Sequence, residues 1–331
     1  MNKQKTIKLL KNVVPWILTA YIFYYLFDKY PPRSLLNSLK LANLVYFIGW
    51  AIIYFLLIWF IDCWGYAKIL SRNGYPTRPQ ALLVPRSVSY LLMVLNYGAG
   101  QGSFGYVVAK TRKIPMEKSM GVCILVLMFD LYWVILLAAI GSFFATFDTV
   151  GFNPAWLARS LGLLATLAFV LGHFFWKWQS GLKLIRWIHA QPMFGIFRSS
   201  TWRDHLVLMS FRLPMHLMIS SGLYLVAITF HSYLPWPVAL AGVPLILLVG
   251  ILPLTPGGLG TTQLATVALF EKHLVMPTGV DFSASEILFS ISLIWLFANY
   301  FLKALWGALC LHSYTKQTSE HLSSLTHRAG L

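Results

Sequence analysis

The stretch Ile251–Phe270, ILPLTPGGLGTTQLATVALF, decides how this chain is read. An apolar run of helical character is broken by Pro253, Pro256, Gly257, Gly258 and Gly260, and then resumes as an apolar helix. Proline and glycine are the poorest helix formers, which argues against one unbroken crossing here. Irregular backbone at membrane depth is tolerated only where protein encloses it or where it lines a polar cavity, because an unsatisfied amide is costly in lipid. The segment therefore reads as two half-helices joined by a turn. Pro253 and Pro256 stop the first, the glycines permit positive φ, and Thr261 or Thr262 is expected to cap the second. Such an end presents free N–H groups and attracts anions, phosphate in particular.

The rest of the chain supplies the membrane. Of its 331 residues, 58% are hydrophobic and only 11% charged, which is not a soluble composition. Apolar runs recur at 13–27, 41–61, 120–144, 157–176, 205–230, 236–254 and 287–311. Each approaches or exceeds the roughly 20 residues that cross a hydrocarbon core. The expected class is an all-α polytopic membrane protein. The lysine-rich start resembles a signal peptide, but the bulky FYYLFDKYPPRS that follows the first run has no small-residue cleavage site, so that run is kept as a span. Cys63, Cys123 and Cys310 show no CxxC spacing, and neither disulfides nor a metal is expected.

A net charge of +16 would suggest nucleic acid in a soluble chain. Here topology explains it, and no nucleic-acid partner is expected. With both termini cytoplasmic, 19 of the 26 Lys and Arg fall on the cytoplasmic side, 5 outside and 2 (Arg212, Lys303) within spans. The outer loop DKYPPRSLLNSLK dissents with three bases. The bias is kept only if the block 81–110, interrupted by NYGAGQGSFG, enters the membrane, turns and returns. The same applies to 236–270 from the other side. The chain then reads as a single transmembrane domain, 1–331, made of an inverted repeat. Residues 1–146 and 157–313 each hold three spans and one re-entrant hairpin, and 314–331 form a cytoplasmic tail. That is the plan of many secondary transporters. The basic, aromatic segment KLIRWIHAQPMFGIF is expected on the membrane surface.

Asn96, Gln101 and Ser103 beside Gly98, Gly100, Gly102 and Gly105 make the first turn a second candidate anion site. Both helix packing and a site fit that glycine pattern. Two half-helix ends meeting near the midplane would hold a charged head group through Asn96, Gly100, Gln101, Gly102, Ser103, Pro256, Gly257, Gly258, Gly260, Thr261, Thr262 and Gln263. Ionisable residues within spans are functional candidates by default. Asp130 sits mid-span; Arg212, ahead of a kinking Pro214, and Lys303 lie about two turns from the cytoplasmic end, where their long stems can also simply snorkel, and Arg86 is close to the interface. These bases could neutralise a lipid phosphate or pair with Asp130. His173, His216 and His231 read as interfacial or core residues. No HExxH, GxSxG, Walker loop or paired outer carboxylates occur, with Asp28 and Asp148 as lone outer acids. A carrier without cofactors is therefore expected. The alternatives are a transferase using lipid-linked donors, a small-solute transporter and an accessory subunit.

LPLTPGGLGTTQ, LNYGAGQGSFGYVVAKTRKIP and FRLPMHLMISSGLYLV resemble the transmembrane family named after lysylphosphatidylglycerol synthase, the flippase-like domain of the multiple peptide resistance factor. The similarity extends over nearly all of the chain, and Pro256, Gly257, Gly258 and Gly260 match its most specific motif. The resemblance implies a bacterial or archaeal inner-membrane protein with re-entrant helices that moves polar lipids between leaflets. Its best-known member flips aminoacylated phosphatidylglycerol made by an attached synthase domain. Gln263 stands where the family often has Glu, and Gly100-Gln101-Gly102 replaces a more charged pattern. Fewer carboxylates weigh against proton coupling and against a cationic substrate group there, and favour an anionic phospholipid or polyprenyl-phosphate-type lipid. Only SYTKQTSEHLSSLTHRAGL follows the last span, so a synthase is expected as a separate partner if at all, and a second copy of the chain is the other protein partner expected.

Overall fold

The computed structural model describes residues 3–145, 147, 153–178, 182–251 and 254–328. The helices follow one another as α1 (Lys3–Lys29), α2 (Pro32–Leu39), α3 (Leu44–Arg72), α4 (Gln80–Leu95), α5 (Tyr97–Arg112), α6 (Met116–Gly141) and α7 (Pro154–Lys177). The chain continues with α8 (Lys183–Ala190), α9 (Gly195–Ser199), α10 (Trp202–Ser210), α11 (Leu213–Thr229), α12 (Trp236–Ile251), α13 (Thr261–Phe270) and α14 (Ala284–Arg328). The protein is all-α, as its composition demands. Among the described residues five helical segments are long and apolar enough to cross a membrane: Leu44–Arg72, Met116–Gly141, Pro154–Lys177, Trp202–Thr229 and Ala284–His312. The first apolar run lies within α1, which presents Trp16, Ile17, Tyr21 and Tyr24 outward but is not among these five.

Local chemistry sets the helix ends. Asn153 caps α7 by accepting from the Trp156 N–H at 3.0 Å, with Pro154 in the first turn. A Thr201–Asp204 capping box opens α10. Lys113 stops α5 in the left-handed region at φ 54, just before Ile114-Pro115. The helix that begins at Trp202 breaks at Phe211-Arg212, because Pro214 has no N–H to offer and its ring crowds the carbonyl four residues back.

Two units make up the fold. The first comprises residues 1–58, 127–179 and 212–298, the second 59–126, 180–211 and 299–331. The core of the first is built on Leu26, Val226, Phe230, Phe270, Ile287 and Phe289, all essentially without exposure. Small residues let its helices approach: a Cβ on Gly141 would stand 2.5 Å from the Ala241 Cα, and one on Gly162 would stand 2.5 Å from the Ala139 Cβ. The start of α3 meets the end of α11 here, since the Asn43 N–H donates to the Thr229 carbonyl at 2.8 Å. The second unit packs Tyr66, Ile69, Leu70, Leu82, Phe104 and Leu208 inside. Within it, α8 exposes Leu184 and Trp187 on one face and Lys183 and Arg186 on the other, the amphipathic pattern of an interfacial helix.

Candidate functional site

The broken segment forms a hairpin in the first unit. α12 has 16 residues and α13 has 10, hence about 24 and 15 Å against a core of about 30 Å, so neither helix crosses. The chain enters and leaves at one place. Tyr233 and Val275 exchange backbone hydrogen bonds of 3.0 and 2.8 Å. At the tip, a Cβ on Gly260 would meet Ile22 Cγ2 at 3.0 Å, so the turn abuts the middle of the apolar stretch of α1. The proline- and glycine-rich stretch is thus the turn of a helical hairpin whose two ends lie together.

The turn's backbone behaves as expected, while its capping does not. Gly257, Gly258 and Gly260 have φ of 59°, 75° and 84°, the left-handed region that side chains disfavour. A Cβ on Gly258 would also stand 2.9 Å from the Gly250 Cα of α12. Pro256 opens a short 3₁₀ turn over Pro256–Gly258, whereas Pro253 and Asp148 lie outside the described residues. Neither threonine caps α13. The Thr261 and Thr262 hydroxyls donate backwards to the Gly258 carbonyl at 3.1 and 2.9 Å, and Gln263 Oε1 accepts the Gly260 N–H at 2.7 Å. The first N–H to bond inside the helix is that of Leu264, to the Gly260 carbonyl at 2.9 Å. The N–H groups of Thr261, Thr262 and Gln263 therefore have no intrahelical acceptor. Thr255 and Thr261 hydroxyls lie 3.0 Å apart, both buried.

The second unit carries the other hairpin, and its turn differs from the expected glycine loop. α4 and α5 are separated by Asn96 alone, with φ −158 and ψ 125. Gly98, Gly100, Gly102 and Gly105 are helical positions within α5. Gly100 serves packing, since a Cβ there would stand 2.5 Å from the Met93 Cβ of α4, and Gly105 faces Met120 and Cys123. Asn96 caps α5, accepting the Ala99 N–H at 2.9 Å. Ser103 turns its hydroxyl to the Gly100 carbonyl at 2.8 Å.

Gln101 is engaged on both sides of its amide. Its Oε1 accepts from Tyr66 at 2.7 Å and from Arg86 Nη1 at 3.1 Å, and its Nε2 donates to the Tyr97 hydroxyl at 2.9 Å. Arg86 is buried, with Nε 2.5 Å from Asp62 Oδ2. Its guanidinium lies over the rings of Tyr66, Tyr90 and Phe104, 5.4, 5.6 and 5.0 Å from their centroids. This is an aromatic box with a carboxylate, built for a cation and filled by the protein's own arginine.

In the first unit, Arg212 sits at the helix break and grips Asp130 through Nε at 2.8 Å and Nη2 at 3.0 Å. His216 Nε2 is 3.0 Å from the same Asp130 oxygen, Oδ1. Of the two bases left within spans by the charge count, Arg212 thus pairs with Asp130. Lys303, partly exposed on α14 in the second unit, has no ion pair or hydrogen bond among the described residues.

A family model described as the lysylphosphatidylglycerol synthase TM region matches residues 12–307. The chain belongs to that family. No curated protein and no solved structure matches it. Membership agrees with a multi-pass membrane protein whose work concerns membrane lipids, and the matched range contains both hairpins and every ion pair described above.

Asp62, Tyr66, Tyr90, Tyr97 and Thr255 escaped the sequence reading, and His216, which reads from sequence as an interfacial or core residue, is buried beside Asp130. Asp62 itself ended the apolar run at Ile61 and so passed for a loop residue, although α3 continues to Arg72. Arg212 and His216 are four apart, neighbours on one helical face, which was the available signal for the pair that flanks Asp130.

Proposed function

We propose that this protein is a lipid flippase or scramblase that passes a phosphate-bearing, anionic lipid between the leaflets of a bacterial inner membrane. It acts as a carrier rather than a catalyst. The observation that supports this most is the clamped α12–α13 hairpin: three backbone N–H groups, at Thr261, Thr262 and Gln263, without intrahelical acceptors, beside the apolar middle of α1. A lipid phosphate supplies what such an end lacks, an acceptor of negative charge, and the left-handed glycines let it approach the backbone closely. At the α5 start Asn96 already provides part of that acceptor, so the α13 end has the greater demand. The inverted arrangement of three spans and one hairpin in each half, with cytoplasmic termini, belongs to this proposal, because alternating exposure of a mid-membrane site needs two gates.

The test is a leaflet-resolved assay in proteoliposomes with labelled phosphatidylglycerol and a polyprenyl phosphate, comparing wild type with Gly258→Leu. Lipid movement by the wild type that is lost in the variant supports the proposal. A wild type that moves none of the anionic lipids offered sinks it.

A further inference from the structure

Charge accounting in the second unit singles out one side chain. Among the described residues, three acidic or basic side chains stand within its apolar helices away from the helix ends: Asp62 on α3, Arg86 on α4 and Lys303 on α14. Asp62 and Arg86 neutralise each other, and the aromatic box and Gln101 satisfy the arginine further. Lys303 is left as a net positive charge. It lies nine residues, about 13 Å along the axis, before His312, the last residue of the described apolar stretch of α14. One turn on, on the same helical face, Gly307 brings α14 against the Ser87 carbonyl and Leu91 of α4, where a Cβ would stand 2.8 Å from the oxygen. Lys303 therefore faces the α4 side of this unit and is partly open.

Asp62 attracts Lys303 as well as Arg86, so one carboxylate serves two cations; a surplus ammonium in hydrocarbon is costly, and such residues mark the paths of charged cargo. Its chemistry selects the cargo. A phosphate offers charge-assisted hydrogen bonds to the ammonium, whereas a second cation would meet Lys303 and a box already occupied by Arg86. We infer that Lys303 is a counter-charge that the lipid's phosphate meets at the second unit, and that the substrate carries a net negative head group without an ammonium. This rests on the lipid-carrier reading above and narrows its substrate class.

The test is an equilibrium titration of the full-length protein in an uncharged detergent with short-chain phosphatidylglycerol, phosphatidylcholine of equal chain length, and inorganic phosphate. Wild type is expected to prefer phosphatidylglycerol by about tenfold or more, Lys303→Gln to lose that preference, and Lys303→Arg to keep it. Because the glutamine removes an uncompensated charge, its melting temperature should equal or exceed that of wild type. Equal affinity of wild type for the two lipids, an unchanged preference in Lys303→Gln, or a lowered melting temperature in that variant would overturn the inference. So would binding of inorganic phosphate as tight as that of the lipid, which would make the free anion the ligand. Lys303-dependent lipid binding without movement in proteoliposomes would sink the carrier reading alone; movement indifferent to Lys303 would sink only this inference.

Discussion

Arg212 holds Asp130 with two nitrogens, at 2.8 and 3.0 Å, across 82 residues of sequence, and both side chains are buried. Removing one partner leaves a charge in a low-dielectric site. Asp130→Asn should cost about 3–5 kcal/mol of stability, and Arg212→Lys should not restore it, because a single ammonium cannot make the two-pronged contact. Unfolding of the purified variants in detergent checks this. The double change Asp130→Asn with Arg212→Gln should recover part of the loss, and a sum of the two single effects would show that the pair is not coupled.

Gln101 joins Arg86, Tyr66 and Tyr97 in one buried network. Gln101→Leu keeps the volume but leaves three polar partners short of a bond, so a loss of about 2 kcal/mol or more is expected. Gln101→Glu should behave differently, since a carboxylate beside Arg86 competes with Asp62. Thermal melts of both variants, together with Asp62→Asn, decide whether the network is structural.

Three glycines separate by geometry. Gly102→Ala meets nothing within 4 Å and stands in a helix, so it should be neutral or stabilise by up to about 1 kcal/mol. Gly100→Ala puts a Cβ 2.5 Å from Met93 and should destabilise the first hairpin. Gly258→Ala combines a φ of 75° with a 2.9 Å approach to Gly250, and should cost more than the roughly 1–2 kcal/mol of left-handed strain alone. Melting temperatures in the order Gly102→Ala, Gly100→Ala, Gly258→Ala from high to low are the expected result.

Removing the α5 cap tests whether the two helix starts are equivalent. Asn96→Ala should cost about 1 kcal/mol and leave intact the lipid binding proposed for α13. A loss of lipid binding in a variant that melts normally would instead give the α5 end a direct share in holding the head group.

Much of this architecture was written locally. Runs of apolar residues dictate helices that cross lipid, whatever their neighbours. The prolines and glycines of PLTPGGLG dictate a turn with positive φ, because no other residues fit that backbone cheaply. Five of the expected spans and the second hairpin follow from such chain-local physics. Capping was less legible: Asn96 alone makes the first turn, and Gln263 rather than a threonine reaches back to Gly260, since several side chains near a helix start compete for the same N–H groups.

The partners of the intramembrane charges are a different matter. A lone Asp130 or Arg86 in a sequence is open to solvent, lipid, substrate or another side chain. Which it meets depends on how each helix is rotated and at what depth it packs, and those are set by side-chain packing over whole helix faces rather than by spacing along the chain. Only the tertiary structure placed Asp62 on Arg86 and Asp130 on Arg212. With Asp130 on Arg212 and Asp62 on Arg86, Lys303 emerged as the surplus cation of the second unit, which turned a scatter of charges into a specific expectation about the lipid.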